Sequence, residues 1–207
     1  MGMAAAVFPA SEISRKQAEL LGSVLGGIPR GTLTEIAGPA SSGRTSLLCA
    51  LLAGATAEGE FCTLIDANDT FDPVSAAGAG VRLSQLLWVR CGGNADHAIR
   101  AADLLTQAGG FGVVAIDLAD VPANVLRRIP VASWYRLRQA VENTRTALVS
   151  VGTYPHASSC PALKIGLERK GIFWQGREPV RLLEGFDSIA TRIQNHRSAV
   201  KTFNVAR

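Results

Sequence analysis

The segment Gly38-Pro39-Ala40-Ser41-Ser42-Gly43-Arg44-Thr45-Ser46 constrains this chain more than any other. It follows an apolar run, Thr32 to Ala37, and leads into an alanine- and leucine-rich stretch, Thr45 to Ala57. It meets the P-loop spacing G-x-x-x-x-G-K-[ST] at every defined position except the lysine, where Arg44 stands. Glycines let a backbone curl until several N–H groups converge on one point, and the helix that follows adds the positive end of its dipole. Gly38, Ser41, Ser42, Gly43, Arg44, Thr45 and Ser46 are therefore candidate phosphate contacts, with the Thr45 hydroxyl where a Mg2+ ligand belongs. A strand-to-helix turn without ligand is the other reading that the loop alone allows. Arg44 keeps lysine's charge on a bulkier, forked group, which is compatible with nucleotide binding and unfavourable to efficient hydrolysis.

The rest of the chain repeats the alternation of strand and helix. Strands are expected at Thr32 to Ala37, Phe61 to Asp66, Leu86 to Val89, Gly112 to Asp117 and Ala147 to Val151. Helices are expected at Thr45 to Ala57, Ala95 to Ala108 and Val131 to Asn143. Gly112 to Asp117 is almost wholly apolar, as a central parallel strand covered on both faces must be. Tyr154 to Pro161 reads as a loop, and Ala162 to Gly176, Val180 to Leu183 and Ile189 to Asn195 as shorter antiparallel strands. The expected fold is α/β: a mostly parallel central sheet flanked by helices, with antiparallel strands at the C-terminal end. A helical segment over residues 1–25, from Glu12 to Leu25, is expected to precede a single core domain over residues 26–207.

Composition agrees with one such core. The 207 residues are 47% hydrophobic and 18% charged, unlike a disordered segment. No apolar run approaches the roughly 18 residues of a membrane span, and the short apolar start lacks the cationic lead-in of a secretory signal. Cys49, Cys62, Cys91 and Cys160 have neither paired spacing nor histidine partners for zinc, and read as reduced, mostly buried thiols of a cytoplasmic protein. The net charge of +4 is mild, but Arg127, Arg128, Arg136, Arg138 and Arg145 face a single acid, Glu142, over their span. They read either as solvated or as a surface for a polyanion or an acidic partner.

Asp117 closes the run Val113-Val114-Ala115-Ile116 and, paired with the loop at Gly38, reads as a Walker B aspartate holding Mg2+. Trp88, Trp134 and Trp174 fall in strand runs or on a helical face and read as core or interface packing. His97, His156 and His196 have no carboxylate or cysteine at a spacing that suggests a triad or a metal site.

With these residues placed, the chain resembles the RecA recombinase family along nearly its whole length. The resemblance is carried by Gly26-Gly27-Ile28-Pro29-Arg30-Gly31, Glu35 to Pro39, Ser41 to Thr45, Ile65-Asp66-Ala67, Phe71-Asp72-Pro73, Ala162-Leu163-Lys164 and Arg192 to Val205. It implies a RecA-like P-loop core with ATP and Mg2+ as cofactors, and places Asp72 among the nucleotide-binding residues. The departures concentrate at the chemistry. Asn68 stands in the segment where the family carries a water-activating glutamate, and an amide cannot take a proton as a carboxylate does. Asp69 beside it points to the opposite side of an extended segment. Ser75 matches the adenine-stacking tyrosine, Thr153 the γ-phosphate-sensing glutamine, and Gln194 and His196 the lysines that reach a neighbouring subunit.

The family's two DNA-binding loops correspond to Leu118 to Arg128 and Tyr154 to Pro161, both much shortened. Arg127, Arg128, Arg136, Arg138, Lys164, Arg169 and Lys170 are the candidate DNA- or partner-binding cations. A shortened RecA-like chain with an altered catalytic route resembles ImuA, an accessory factor of mutagenic DNA repair. That resemblance implies a role in the damage response and translesion synthesis, with weak or no ATP hydrolysis. The implied partners are a Y-family polymerase-like protein, a replicative-type polymerase or RecA, with DNA a further candidate and no membrane. A compact DNA-dependent ATPase is the alternative, and a cell-division inhibitor a third reading carried by shared naming alone.

Overall fold

The computed structural model describes residues 28–177, 180–194 and 197–204. The strands are β1 (Thr32–Ala37), β2 (Cys62–Asp66), β3 (Leu86–Arg90), β4 (Val113–Leu118), β5 (Ala147–Gly152), β6 (Leu163–Arg177), β7 (Val180–Gln194) and β8 (Arg197–Asn204). They form one sheet in the order β3-β2-β4-β5-β1-β6-β7-β8. The first six of that order run parallel, and β7 and β8 are antiparallel to their neighbours. The described helices are α1 (Arg44–Ala57), α2 (Pro73–Gly78), α3 (Ala95–Ala108), α4 (Ala123–Leu126) and α5 (Val131–Val141).

Handedness decides which face each helix covers. The chain steps outward from β1 to β2 to β3 and then returns to β4 and β5, and right-handed crossovers put the two directions of travel on opposite faces. One apolar cluster accordingly joins Leu47, Leu48 and Leu52 of α1 and Ala76 of α2 to Ile36, Leu64, Ala115 and Val149. The other joins Ala98 and Ala102 of α3 and Trp134, Leu137 and Val141 of α5 to Leu33, Ile65, Ile116 and Leu148. The period of two along each strand does the sorting, so alternate residues serve alternate cores. Asp66 and Asp117 fall on the α1 side, whereas Glu35 and Ser150 fall on the α5 side.

The five expected strands before the loop and the three expected helices are present, with ends shifted by a residue or two. The C-terminal part differs from expectation. β6 is parallel to β1, not antiparallel, and the two short strands expected at Val180 and Ile189 are one strand, β7. A parallel return is ordinarily made through a helix and a dozen or more residues. Here the ten-residue segment from Thr153 to Ala162 folds back over the α5 face without a helix, burying Ala157 and Cys160, and Ala162 N–H donates to Leu33 O at 2.9 Å. Only the first four residues of β6 pair with β1, and the remainder pairs with β7 as a ribbon. Trp174 lies on that ribbon, 53% exposed, so it is not a core residue. The helix expected from Glu12 to Leu25 and the position of His196 lie outside the described residues, as does the side chain of Gln194. The four thiols are free, with Cys62, Cys91 and Cys160 buried and Cys49 half-buried. No helix among the described residues is long and apolar enough to cross a membrane.

Trp134 is fully buried between α3, α5 and the sheet, so Trp134→Ala is expected to destabilise the fold by about 3–5 kcal/mol. Trp174→Ala is expected to cost under about 0.5 kcal/mol. Urea unfolding followed by circular dichroism reads the difference as a shift in midpoint.

Candidate functional site

β1 ends at Ala37, and the loop that follows turns twice through left-handed backbone, at Ser41 (φ 60°) and Gly43 (φ 90°). Its entry is pinned by Gly38 N–H donating to Gly152 O at 3.1 Å, at the end of β5. Gly38 has no room for a side chain: a Cβ there would lie 2.4 Å from Ser42 Oγ and 2.8 Å from Leu167 O. Ser42 is buried, and its backbone carbonyl accepts from the Ser188 hydroxyl at 2.8 Å, which ties the loop to β7. The N–H groups of the first turn of α1 have no intrahelical partner, as in any helix, and no side chain caps them, since the N-cap is Gly43. Thr45 is exposed on that turn and Ser46 half-buried beside it. Left-handed turns, an uncapped helix start and a fixed cation are a donor set that fits a phosphate group.

That cation is already engaged. Arg44 is 7% exposed; its Nη1 donates to Gly38 O at 2.7 Å and to Thr153 Oγ1 at 3.0 Å, while Nη2 meets Asp120 Oδ1 at 3.0 Å. Thr153 in turn donates to Ala119 O. The guanidinium therefore joins the phosphate-type loop to the segments that follow β4 and β5. A buried arginine needs such acceptors, because removing its charge from water costs several kcal/mol unless partners replace the lost hydration.

Asp117 and Asp66 are register partners on β4 and β2, at the carboxyl ends of both strands. Asp117 Oδ1 accepts from Ala119 N–H at 2.9 Å. Burial pushes its carboxyl up to about 6, the Asp66 charge adds to the rise, and the Ala119 N–H and Arg44 oppose it. The same burial, with Asp117 nearby, pushes the Cys49 thiol on α1 up to about 11. Among the described residues no three His, Cys, Asp or Glu side chains form a metal cage. Mg2+ does not require one, since it is held through one or two protein oxygens together with substrate phosphates. Thr45 and Asp117 fit that role in the chemistry of their donors.

The acids between β2 and α2 are spent on folding their own segment. Asp66 accepts from Phe71 N–H at 2.8 Å and from Trp88 Nε1 at 3.3 Å. Asp69, in left-handed backbone, accepts from Gly92 N–H at 3.2 Å and pairs with Arg90 at 3.0 Å, toward β3. Asp72 caps α2 through Val74 N–H, Ser75 N–H and the Ser75 hydroxyl, and these bonds, the hydroxyl's first, hold its carboxyl below the usual range. Asn68, in the segment where the resembled family carries a glutamate, contributes its backbone N–H to Asp66 at 3.3 Å.

The opposite face of the same strand ends holds a second polar group, which spacing in the sequence does not disclose. Glu35, 1% exposed, accepts from the N–H groups of His156 at 2.6 Å and Ala157 at 2.7 Å. The His156 ring bonds Ser150 Oγ through Nε2 and Tyr154 O through Nδ1, with Trp134 tilted against it at 5.3 Å. A carboxylate thus does lie beside His156, contrary to the expectation from spacing, because β1 brings it from 121 residues away. Ser150 is wholly buried, so the group is a clamp on the 153–162 segment, not a nucleophile.

Above this clamp is a cavity of about 340 Å3, lined by Arg127, Leu126, Val131, Tyr154, Ser158 and Lys164 among others. It lies between the two segments matched to DNA-binding loops. The structure brings Arg127 and Lys164 to this one cavity, although Lys164 Nζ is held by Ser158 O and stands 4.0 Å from Glu35. Arg136 points elsewhere, to Asp103 of α3 at 3.3 Å. Arg128, Arg138, Arg169 and Lys170 are exposed.

A mostly parallel sheet with its phosphate-type loop after the central β1, and an acid near the carboxyl end of β4, define a P-loop α/β protein with a RecA-like core. Residues 8–127 match the RecA N-terminal domain, and the chain belongs to that family. It is similar to protein RecA of Deinococcus radiodurans, 35% identical over 136 residues that cover 62% of this chain and 37% of the relative. It is also similar to protein RecA of Ectopseudomonas oleovorans, 37% identical over 93 residues, 45% of this chain and 26% of that one. The matched part is well under half the length of either relative.

Two outcomes are expected at these sites. A carboxyl raised in the fold makes stability fall as pH climbs from its unfolded value near 4 to about 6, and the penalty is complete above that. Asp117→Asn removes the charge and keeps an acceptor for Ala119, so it should gain roughly 2 kcal/mol over the wild type at pH 7.5 and little at pH 4, read by thermal unfolding. Glu35→Ala leaves the part-buried His156 N–H and the buried Ala157 N–H unpartnered and should cost roughly 2–4 kcal/mol, with faster amide exchange at both residues.

Proposed function

We propose that this protein is a RecA-derived accessory factor of DNA repair that binds ATP with Mg2+ and hydrolyses it weakly or not at all. Its role would be in the damage response and translesion synthesis, exerted through contacts with other proteins and with DNA. The observation that carries this reading is the state of the acids: Asp66, Asp69 and Asp72 are engaged with backbone N–H groups and with Trp88, Arg90 and Ser75 respectively, and Asn68 offers an amide. The carboxylates of that segment serve to fold it, and the amide at Asn68 cannot take a proton from an attacking water.

The residues assigned to nucleotide are Gly38, Ser41, Ser42, Gly43, Arg44, Thr45 and Ser46 on the loop and α1, with Thr45 and Asp117 for the metal and Asp72 at the α2 cap. Bound Mg2+ supplies charge neutralisation for the phosphates. Backbone N–H groups of the loop bind and orient the polyanion, and the α1 dipole adds to their field. The cavity carrying Arg127 and Lys164, with Tyr154 at its rim, is the proposed contact for single-stranded DNA or an acidic segment of a partner. The partner classes are a Y-family polymerase-like protein, a replicative-type polymerase and RecA itself; cytoplasmic location goes with that assignment.

A compact DNA-dependent ATPase is favoured by one observation, the raised carboxyl of Asp117 beside Asp66, which is the kind of environment that poises a general base. Phosphate release from Mg·ATP, with and without single-stranded DNA, separates the two. Turnover at background in both conditions, unchanged by Arg44→Lys, is expected. DNA-stimulated turnover abolished by Asp117→Ala would instead establish the ATPase.

A further inference from the structure

Nothing in the phosphate-loop pattern foresees Asp120. It stands three residues past Asp117, with its side chain 56% exposed, yet its carboxylate is the charged partner of a guanidinium that is only 8% exposed. The other two acceptors on Arg44, Gly38 O and Thr153 Oγ1, are neutral. Asp120 is thus the group that balances the loop's cation, and its charge is also felt at Asp117, on the side where phosphates would lie. An incoming phosphate meets both an occupied cation and a like charge. Resting on the nucleotide reading above, the geometry points to Asp120 as a built-in competitor for phosphate on Arg44, which sets nucleotide affinity and latches the segment after β4 to the loop.

Phosphate and Asp120 would exchange places on Arg44. A phosphate offers a forked guanidinium two oxygens and more than one charge, whereas Asp120 offers Arg44 a single contact oxygen. A half-exposed carboxylate recovers its hydration when it lets go, so release is cheap. The segment it belongs to runs from β4 through α4 to Arg127, which lines the cavity on the far face. Thr153, bonded both to Arg44 and to Ala119 O, begins the segment that carries Tyr154 and Ser158 on the same cavity. Occupancy of the phosphate loop is thereby transmitted to both walls of the cavity through one side chain. Asp120 is a positioning residue in this account; it acts through Arg44.

Calorimetric titration of Mg·ATP into the wild type, Asp120→Asn, Arg44→Gln and the double variant tests it. Asp120→Asn should bind about five- to tenfold more tightly than the wild type, and the gain should shrink to under about twofold in the Arg44→Gln background. Equal affinity of Asp120→Asn and wild type, or a gain of the same size without Arg44, overturns the competition. A second arm needs no nucleotide: Asp120→Asn alone should speed amide exchange between Ala119 and Arg127, and unchanged exchange there overturns the latch. Should neither the wild type nor Asp120→Asn bind ATP at millimolar concentration, the nucleotide reading and the competition fall together, and the exchange arm alone decides the latch.

Discussion

Parallel strands must all be re-entered from the same end, and the site follows from that constraint. Every crossover here returns the chain to the amino ends of the strands before it rises again, so the residues that end β1, β2, β4 and β5 emerge together at the opposite, carboxyl end although they are spread from Ala37 to Gly152. Ligands of open α/β sheets gather at those carboxyl ends for the same reason. The direction of travel then chooses the face: α1 and the phosphate-type loop cover Asp66 and Asp117, while α5 and the 153–162 segment cover Glu35 and Ser150. One row of strand ends thus carries two polar centres back to back.

Arg44 joins the phosphate-type loop to the segments that follow β4 and β5. A cation held below the surface cannot remain without acceptors, and it finds them on three separate segments. A lysine at the same place would offer a single rotating ammonium, without the planar fork that reaches Gly38, Thr153 and Asp120 together. Where the motif has a lysine, the arginine thus braces the loop against its neighbours. The acids of the 66–72 segment likewise serve the fold, each bonding backbone N–H groups near it in space.

What could be read in advance divides by distance along the chain. The loop from Gly38 to Ser46, the apolar run to Asp117 and the helix from Ala95 to Ala108 are local patterns, and local patterns survive folding. α2 and α4, six and four residues long, are too short to show a helical period. The parallel pairing of β6 escaped because its crossover has no helix to announce it. The clamp of Glu35 on His156 escaped for a different reason: the partners are far apart in sequence, and a buried glutamate in an apolar strand was the only local hint. Trp174 shows the converse, an aromatic in a strand run that lies on an exposed ribbon.

Phosphorus NMR of a stoichiometric mixture of this protein with Mg·ATP decides whether the phosphate loop holds triphosphate without cleaving it. The β- and γ-phosphate resonances are expected to be displaced from their free positions and unchanged in intensity over hours. Resonances at the free positions, or their replacement by ADP and inorganic phosphate, would contradict binding without cleavage.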